Sequence, residues 1–115
     1  MAKKNSRAKG ARGERELANL LKSYGYNTRR GQQFSGLEGE DVVGLPGIHI
    51  ECKRIERLNI YDAISQATRD SKENQIPVVF HRKNNCKWLV TMEFDEFMKI
   101  YREYEASNYL DREQE

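Results

Sequence analysis

The stretch Asp41-Val42-Val43-Gly44-Leu45-Pro46-Gly47-Ile48-His49-Ile50-Glu51-Cys52-Lys53 decides how this chain folds. Asp41-Val42-Val43 and Ile48 to Arg54 read as two strands, and Leu45-Pro46-Gly47 between them reads as a turn. Alternation in the second strand is strict. Ile48, Ile50 and Cys52 point one way, and His49, Glu51 and Lys53 point the other. A two-residue turn at Pro46-Gly47 would set Asp41 opposite Cys52, on the wrong face. A three-residue loop, with Gly47 in the left-handed bulge position, sets Asp41 opposite Glu51. Their Cβ atoms would then lie roughly 5 Å apart. Two like charges so placed persist most readily with a cation between them, and oxygen ligands select Mg²⁺ or Mn²⁺. Taken alone, Glu51-x-Lys53 is equally an ordinary half-exposed strand with a solvent ion pair.

Upstream, Ala11, Leu17, Ala18, Leu21 and Tyr24 recur at helical spacing from about Gly10, and Gly25 ends the helix. Glu14 falls on this apolar stripe, whereas Glu16 points away. A glutamate aimed at a core needs a partner or a metal. The alternative is that Glu14 sits at the solvent end of the stripe, near a helix N-terminus that favours negative charge. Glu14, Asp41, Glu51 and Lys53 thus converge on one place. Such a set suits metal-assisted phosphodiester hydrolysis, with carboxylates holding the ion and a lysine orienting water or stabilising charge. No Walker A loop, G-x-S-x-G or HExxH competes, so neither a nucleotide cofactor nor those hydrolase chemistries are expected.

The chain has 115 residues, one domain's length, and a net charge of +2. That balance hides an asymmetry: residues 1–30 carry nine Lys/Arg against two Glu, and residues 93–115 carry three basic against eight acidic residues. A basic front end suits a polyanionic partner, although a solvated leader would look the same. Residues 1–9 read as a flexible basic arm, 10–105 as a single domain and 106–115 as a fraying acidic tail. No 18-residue apolar run and no apolar stretch behind Met1 occur, so neither a membrane span nor a signal peptide is expected. Cys52 and Cys86 form no CxxC, which argues against a zinc or disulfide framework and for a cytoplasmic setting.

Working outward, a short strand spans Tyr26 to Arg29, and residues 31–40 form a glycine-rich loop. A helix spans Ile60 to Glu73, capped by Asn59, with Ile60, Ala63, Ile64 and Ala67 on one face. Strands follow at Pro77 to Arg82 and Lys87 to Met92, around a turn at Asn84-Asn85. A last helix, Glu93 to Tyr104, carries Phe94, Phe97, Met98 and Tyr101 on a stripe expected to be buried. With Tyr104, these residues could instead supply an interface. The order α-β-β-β-α-β-β-α implies a mixed α/β domain with a central sheet flanked by helices.

Asp41, nine residues, Glu51-x-Lys53, and Glu14 on a preceding helix together resemble the PD-(D/E)XK nuclease superfamily. More narrowly, RGERELANLL, GYNTRRGQQFSG and IECK resemble archaeal-type Holliday junction resolvases and their phage-encoded relatives. The likeness covers about residues 9–66. It implies a restriction-endonuclease-like fold and a Mg²⁺-dependent endodeoxyribonuclease, with Mn²⁺ able to substitute. It further implies a homodimer that cuts four-way DNA junctions in recombination. It gives Glu14, Asp41 and Glu51 to the metal, with the Cys52 carbonyl as a further ligand, and makes Lys53 catalytic. Arg30 corresponds to a residue that contacts the DNA backbone, Ser35 to a loop serine near the scissile phosphate, and Gln66 to a site-facing glutamine. Glu40 stands where proline gives the superfamily its name, and the loop before Asp41 is longer than in compact members.

Lys9, Arg12, Arg15, Arg29 and Arg30 flank this site in sequence and suit phosphate contacts, or simply solubility. No recognition-helix or zinc-finger spacing is present, so binding by DNA structure rather than base sequence is expected. Three other readings stay open. One is a nuclease of the same fold acting on flap, nicked or site-specific duplex DNA. Another is a DNA-binding module that does not cut, which the intact acidic set argues against. The third is an adaptor whose acidic tail recruits a protein partner.

Overall fold

The computed structural model describes the backbone of residues 2–31 and 41–114, and side chains within 10–31 and 41–108. The elements are α1 (Ala2–Ser23), β1 (Arg29–Arg30), β2 (Val42–Val43), β3 (Ile48–Arg54), α2 (Ile60–Asp70), β4 (Ile76–Arg82), β5 (Leu89–Thr91) and α3 (Phe94–Gln114). Their order is the one the sequence implies. Five strands form one mixed sheet in the order β1-β2-β3-β4-β5. Only the β3–β4 pair is parallel, joined through α2; the other neighbours run antiparallel. This is an α/β architecture of restriction-endonuclease-like type.

Alternation on the central strands sorts the sheet's two faces. Ile50, Cys52, Val78 and Phe80 pack with Leu17 and Ala18 of α1 on one face. Val79 packs with Ala63 and Ala67 of α2 on the other. Each fully buried aliphatic side chain contributes roughly 1.5–3 kcal/mol, so the sheet is held by helices on both sides. Asn59 caps α2, its side chain accepting from the Asp62 N–H at 3.1 Å. Gly25, at φ +99°, closes α1 as expected.

The hairpin has the register that the three-residue loop demands. Val42 pairs with Ile50, Gly47 is left-handed at φ +79°, and the Ile48 N–H donates to the Leu45 carbonyl at 3.2 Å. A second left-handed glycine, Gly44 at φ +108°, lets β2 pass the chain before β1 at a distance no side chain would permit. A Cβ there would lie 2.2 Å from the Asn27 carbonyl oxygen.

Three expectations shift. First, α1 starts at Ala2 rather than near Gly10, so the basic segment is helical. Ala2, Lys3, Lys4 and Ala8 favour helix, but they lack the apolar period by which a helix is recognised. α3 likewise continues to Gln114, through the segment read as a fraying tail. Second, β1 is Arg29–Arg30 rather than Tyr26 to Arg29. Third, the stripe of α3 is not core: Phe94 is 74% exposed, and Phe97, Tyr101 and Tyr104 are also exposed. The period reported an amphipathic helix correctly, but among the described residues the neighbouring sheet edge does not cover it, and Leu89 and Val90 of β5 are themselves exposed. No helix among the described residues is long and apolar enough to cross a membrane.

The Gly44 geometry gives a direct test. Gly44→Ala combines a left-handed backbone with a clash against Asn27, and should cost about 2–4 kcal/mol, read as a lower urea midpoint. An unchanged midpoint would contradict this packing of β1 on β2.

Candidate active site

At Asp41 the β2–β3 ladder opens. The Asp41 N–H donates to the Ile50 carbonyl at 3.1 Å, and its carbonyl accepts from the Gly31 N–H at 2.9 Å. Its side chain then turns inward, and Oδ2 accepts from the Cys52 N–H at 2.8 Å. One carboxylate oxygen therefore occupies a ladder position on β3, between Glu51 and Lys53. In the plain hairpin expected from sequence, Asp41 would simply face Glu51 across the strands. The observed side chain binds the backbone because β2 has ended and left that amide without a strand partner.

Glu51 is 1% exposed and shares the α2 face with Val79, its neighbour across the parallel pair. Its Oε1 lies 3.3 Å from His49 Nε2 and its Oε2 lies 3.7 Å from Lys53 Nζ. Lys53 Nζ also donates to Gln66 Oε1 of α2 at 3.1 Å. Burial raises the proton affinity of Glu51 above the ordinary carboxylate value. The His49 hydrogen bond opposes this, the Asp41 charge adds to it, and Lys53 opposes it.

Glu14 reaches the same place from α1. Its side chain is 13% exposed, and its Oε1 accepts from Arg30 Nε at 2.9 Å. Burial again raises its proton affinity, against the Arg30 hydrogen bond, and the Asp41 charge raises it further. Asp41 thus acts electrostatically on Glu14 and Glu51 alike. Glu14 is neither a solvent-end cap nor unpartnered, since Arg30 neutralises it. The Cys52 thiol is buried, and burial together with the surrounding carboxylates pushes it well above its ordinary value, so it stays protonated and unreactive.

The other expected residues divide. Arg30 and Gln66 join the site directly, and Arg15 is exposed but close enough for its charge to act on Glu14. Arg29 donates to the Arg30 carbonyl at 3.1 Å. Arg12 instead lines a separate cavity beside Glu16. Cys52 meets the site through its N–H, which donates to Asp41. Ser35 and the side chain of Lys9 lie outside the described residues. His49 carries more than sequence suggested. Its place two residues before Glu51 on one strand face was the available signal.

A cavity of about 480 Å³ opens beside Lys53 and Gln66, with Arg69, Asn59 and Asp62 on its rim. The carboxylates are hard oxygen donors suited to a divalent cation. Even so, no three His, Cys, Asp or Glu side chains among the described residues form a ready-made metal cage. Arg30 and Lys53 lie on Glu14 and Glu51 instead, so the chain's own cations balance part of the charge.

Comparison with known families places the chain as a whole. The family described as "Phage putative PDDEXK endonuclease" matches residues 5–114. The chain belongs to this family. No curated protein matches it. The match spans α1 to α3, well beyond the segment that carries the sequence motifs. Divalent metal is the typical cofactor of PDDEXK nucleases.

Burying Glu51 should cost this endonuclease stability. Its proton affinity is higher folded than unfolded, so its stability contribution is greatest below the unfolded value near 4.5 and is lost as pH rises through the folded value. Glu51→Gln in EDTA should therefore raise Tm at pH 7 by about 3–6 °C, with the gain shrinking towards pH 4. A lower Tm at neutral pH would show that the His49 and Lys53 contacts outweigh the burial.

Proposed function

We propose that this protein is a Mg²⁺-dependent, structure-selective endodeoxyribonuclease that resolves four-way DNA junctions, with Mn²⁺ able to substitute. The observation that carries the nuclease reading is the placement of Asp41, through the Cys52 N–H, between Glu51 and Lys53 and within electrostatic reach of Glu14. Membership of the PDDEXK endonuclease family supports it.

In this mechanism Asp41 and Glu51 would hold the divalent ion, with Glu14 assisting from α1. The bound ion would supply Lewis-acid activation of water and shield the phosphate charge. Lys53 lines the cavity of about 480 Å³, held by Gln66, and its ammonium would stabilise charge on the phosphate. His49 fixes the orientation of the Glu51 carboxylate from the buried side. Arg30 orients Glu14 and, at 41% side-chain exposure, keeps surface available for a backbone phosphate. Arg12, Arg15 and Arg29 extend the basic surface beside the site, and Lys9 joins this DNA-binding set on its sequence position alone.

The junction preference rests on the sequence likeness and on the absence of a base-reading element. Cutting two strands symmetrically calls for two copies, and the exposed Phe94, Phe97, Tyr101 and Tyr104 of α3 supply an apolar face for pairing. Sedimentation should show a dimer that Tyr101→Lys converts to monomer; a wild-type monomer at micromolar concentration would remove pairing from the account.

A labelled four-way junction, set beside linear duplex, flap and single strand in Mg²⁺, Mn²⁺ or EDTA, tests the activity. Paired metal-dependent nicks on the junction alone are expected. Equal cutting of all substrates would keep the nuclease and discard the junction, and tight binding without cutting would leave a binding module. Asp41→Asn and Glu51→Gln should each lower cleavage by at least about 10³-fold while junction binding stays equal or tightens. Cleavage surviving in both variants would remove these carboxylates from the mechanism.

A further inference from the structure

A second polar cavity, of about 220 Å³, lies between α1 and the end of β3. Its position follows from Gly13. A Cβ at Gly13 would lie 2.5 Å from the Arg54 Cβ, so only glycine lets α1 settle over the stem of Arg54. Arg12 and Arg54 line the space, and Glu16, Glu56, Asn84 and Ile55 complete its walls.

The carboxylates here are already committed. Glu16 Oε1 accepts from Trp88 Nε1 at 3.0 Å and from the Arg82 guanidinium. Glu56 Oε2 accepts from the Asn84 N–H at 2.6 Å. Arg54 donates through one terminal nitrogen to Asn84 Oδ1 at 2.9 Å and stands 3.7 Å from Glu16 by its Nε. That Nε is buried and has no hydrogen bond among the described residues. Arg12 has no ion pair or hydrogen bond to any described residue. A buried donor without an acceptor is costly, and here one sits beside an uncommitted guanidinium in an open cavity.

The neighbourhood says which acceptor belongs. Arg54 directly follows Lys53, and Gly13 directly precedes Glu14. Ile55, 43% exposed, lines both this cavity and the one holding Lys53 and Gln66. The two cavities therefore adjoin at the carboxyl end of β3.

We propose that the Arg12–Arg54 cavity is a second phosphate site, which grips the DNA backbone next to the phosphodiester presented to Lys53. This rests on the nuclease reading and adds to it a positioning contact that base sequence cannot influence. Guanidinium forks match the paired oxygens of a phosphodiester, and two such contacts would fix the strand's direction across Ile55.

DNA binding by the full chain in EDTA, followed by fluorescence anisotropy from 50 to 300 mM salt, tests this. Arg12→Ala and Arg54→Gln should each weaken binding roughly two- to fivefold and lower the salt slope by about one, whereas Lys72→Ala should leave both unchanged. Arg12 is exposed, so Arg12→Ala decides the matter even if Arg54→Gln loosens α1. In parallel, inorganic phosphate should shift the Arg54 Nε–H resonance in wild type and not in Arg12→Ala. Wild-type binding with unchanged affinity and slope in Arg12→Ala would overturn the phosphate site alone. A resonance that answers inorganic phosphate while DNA binding ignores both variants would make it a free-anion site and also overturn the proposal. A wild type that binds no DNA would overturn the nuclease reading and this site with it.

Discussion

The hydrogen bond from the Cys52 N–H to Asp41 Oδ2 organises the rest of the site. It fixes a carboxylate on the central strand where β2 has run out. Where β2 stops, the Cys52 amide of β3 is satisfied by a side chain. Everything else is arranged around that oxygen. Glu51 and Lys53 flank it on the α2 face, and Glu14 approaches from α1 on the other.

Gathering carboxylates this way is unfavourable without positive charge nearby. Burial and the Asp41 charge both favour protonation of Glu14 and Glu51. Arg30, His49 and Lys53 offset part of the cost. Sites of this kind are held against their own electrostatics by a rigid surround, and the two-sided packing of β3 by α1 and α2 provides it. The glycines at positions 13 and 44 serve the same end, since each permits a close approach that seats α1 or β2 against its neighbour.

Much of this was legible in the sequence because it rests on local rules. The period-2 pattern of Ile48 to Lys53, the turn chemistry of Leu45-Pro46-Gly47 and the Asn59 cap are short-range signals, and strand, register and helix start follow from them. Glu14 stood out because a charge on an apolar stripe breaks the pattern. What could not be read were matters of tertiary supply. The stripe on α3 has the period of a buried helix, yet whether a sheet face remains to receive it depends on the whole layer arrangement. The Asp41 side chain turns to the backbone because β2 stops early, which no residue type announces. Arg12 and Arg54 line one cavity because α1 packs at Gly13 against Arg54, across about forty residues of chain, an approach only the packed structure supplies.

The most direct test of the central claim is the structure of crystals soaked in Mn²⁺, read by anomalous scattering. An anomalous peak within coordination distance of Asp41 and Glu51 carboxylate oxygens, lost in Asp41→Asn crystals, is the expected result. Peaks elsewhere and none at Asp41 or Glu51, from protein that cleaves DNA in the same Mn²⁺, would contradict it.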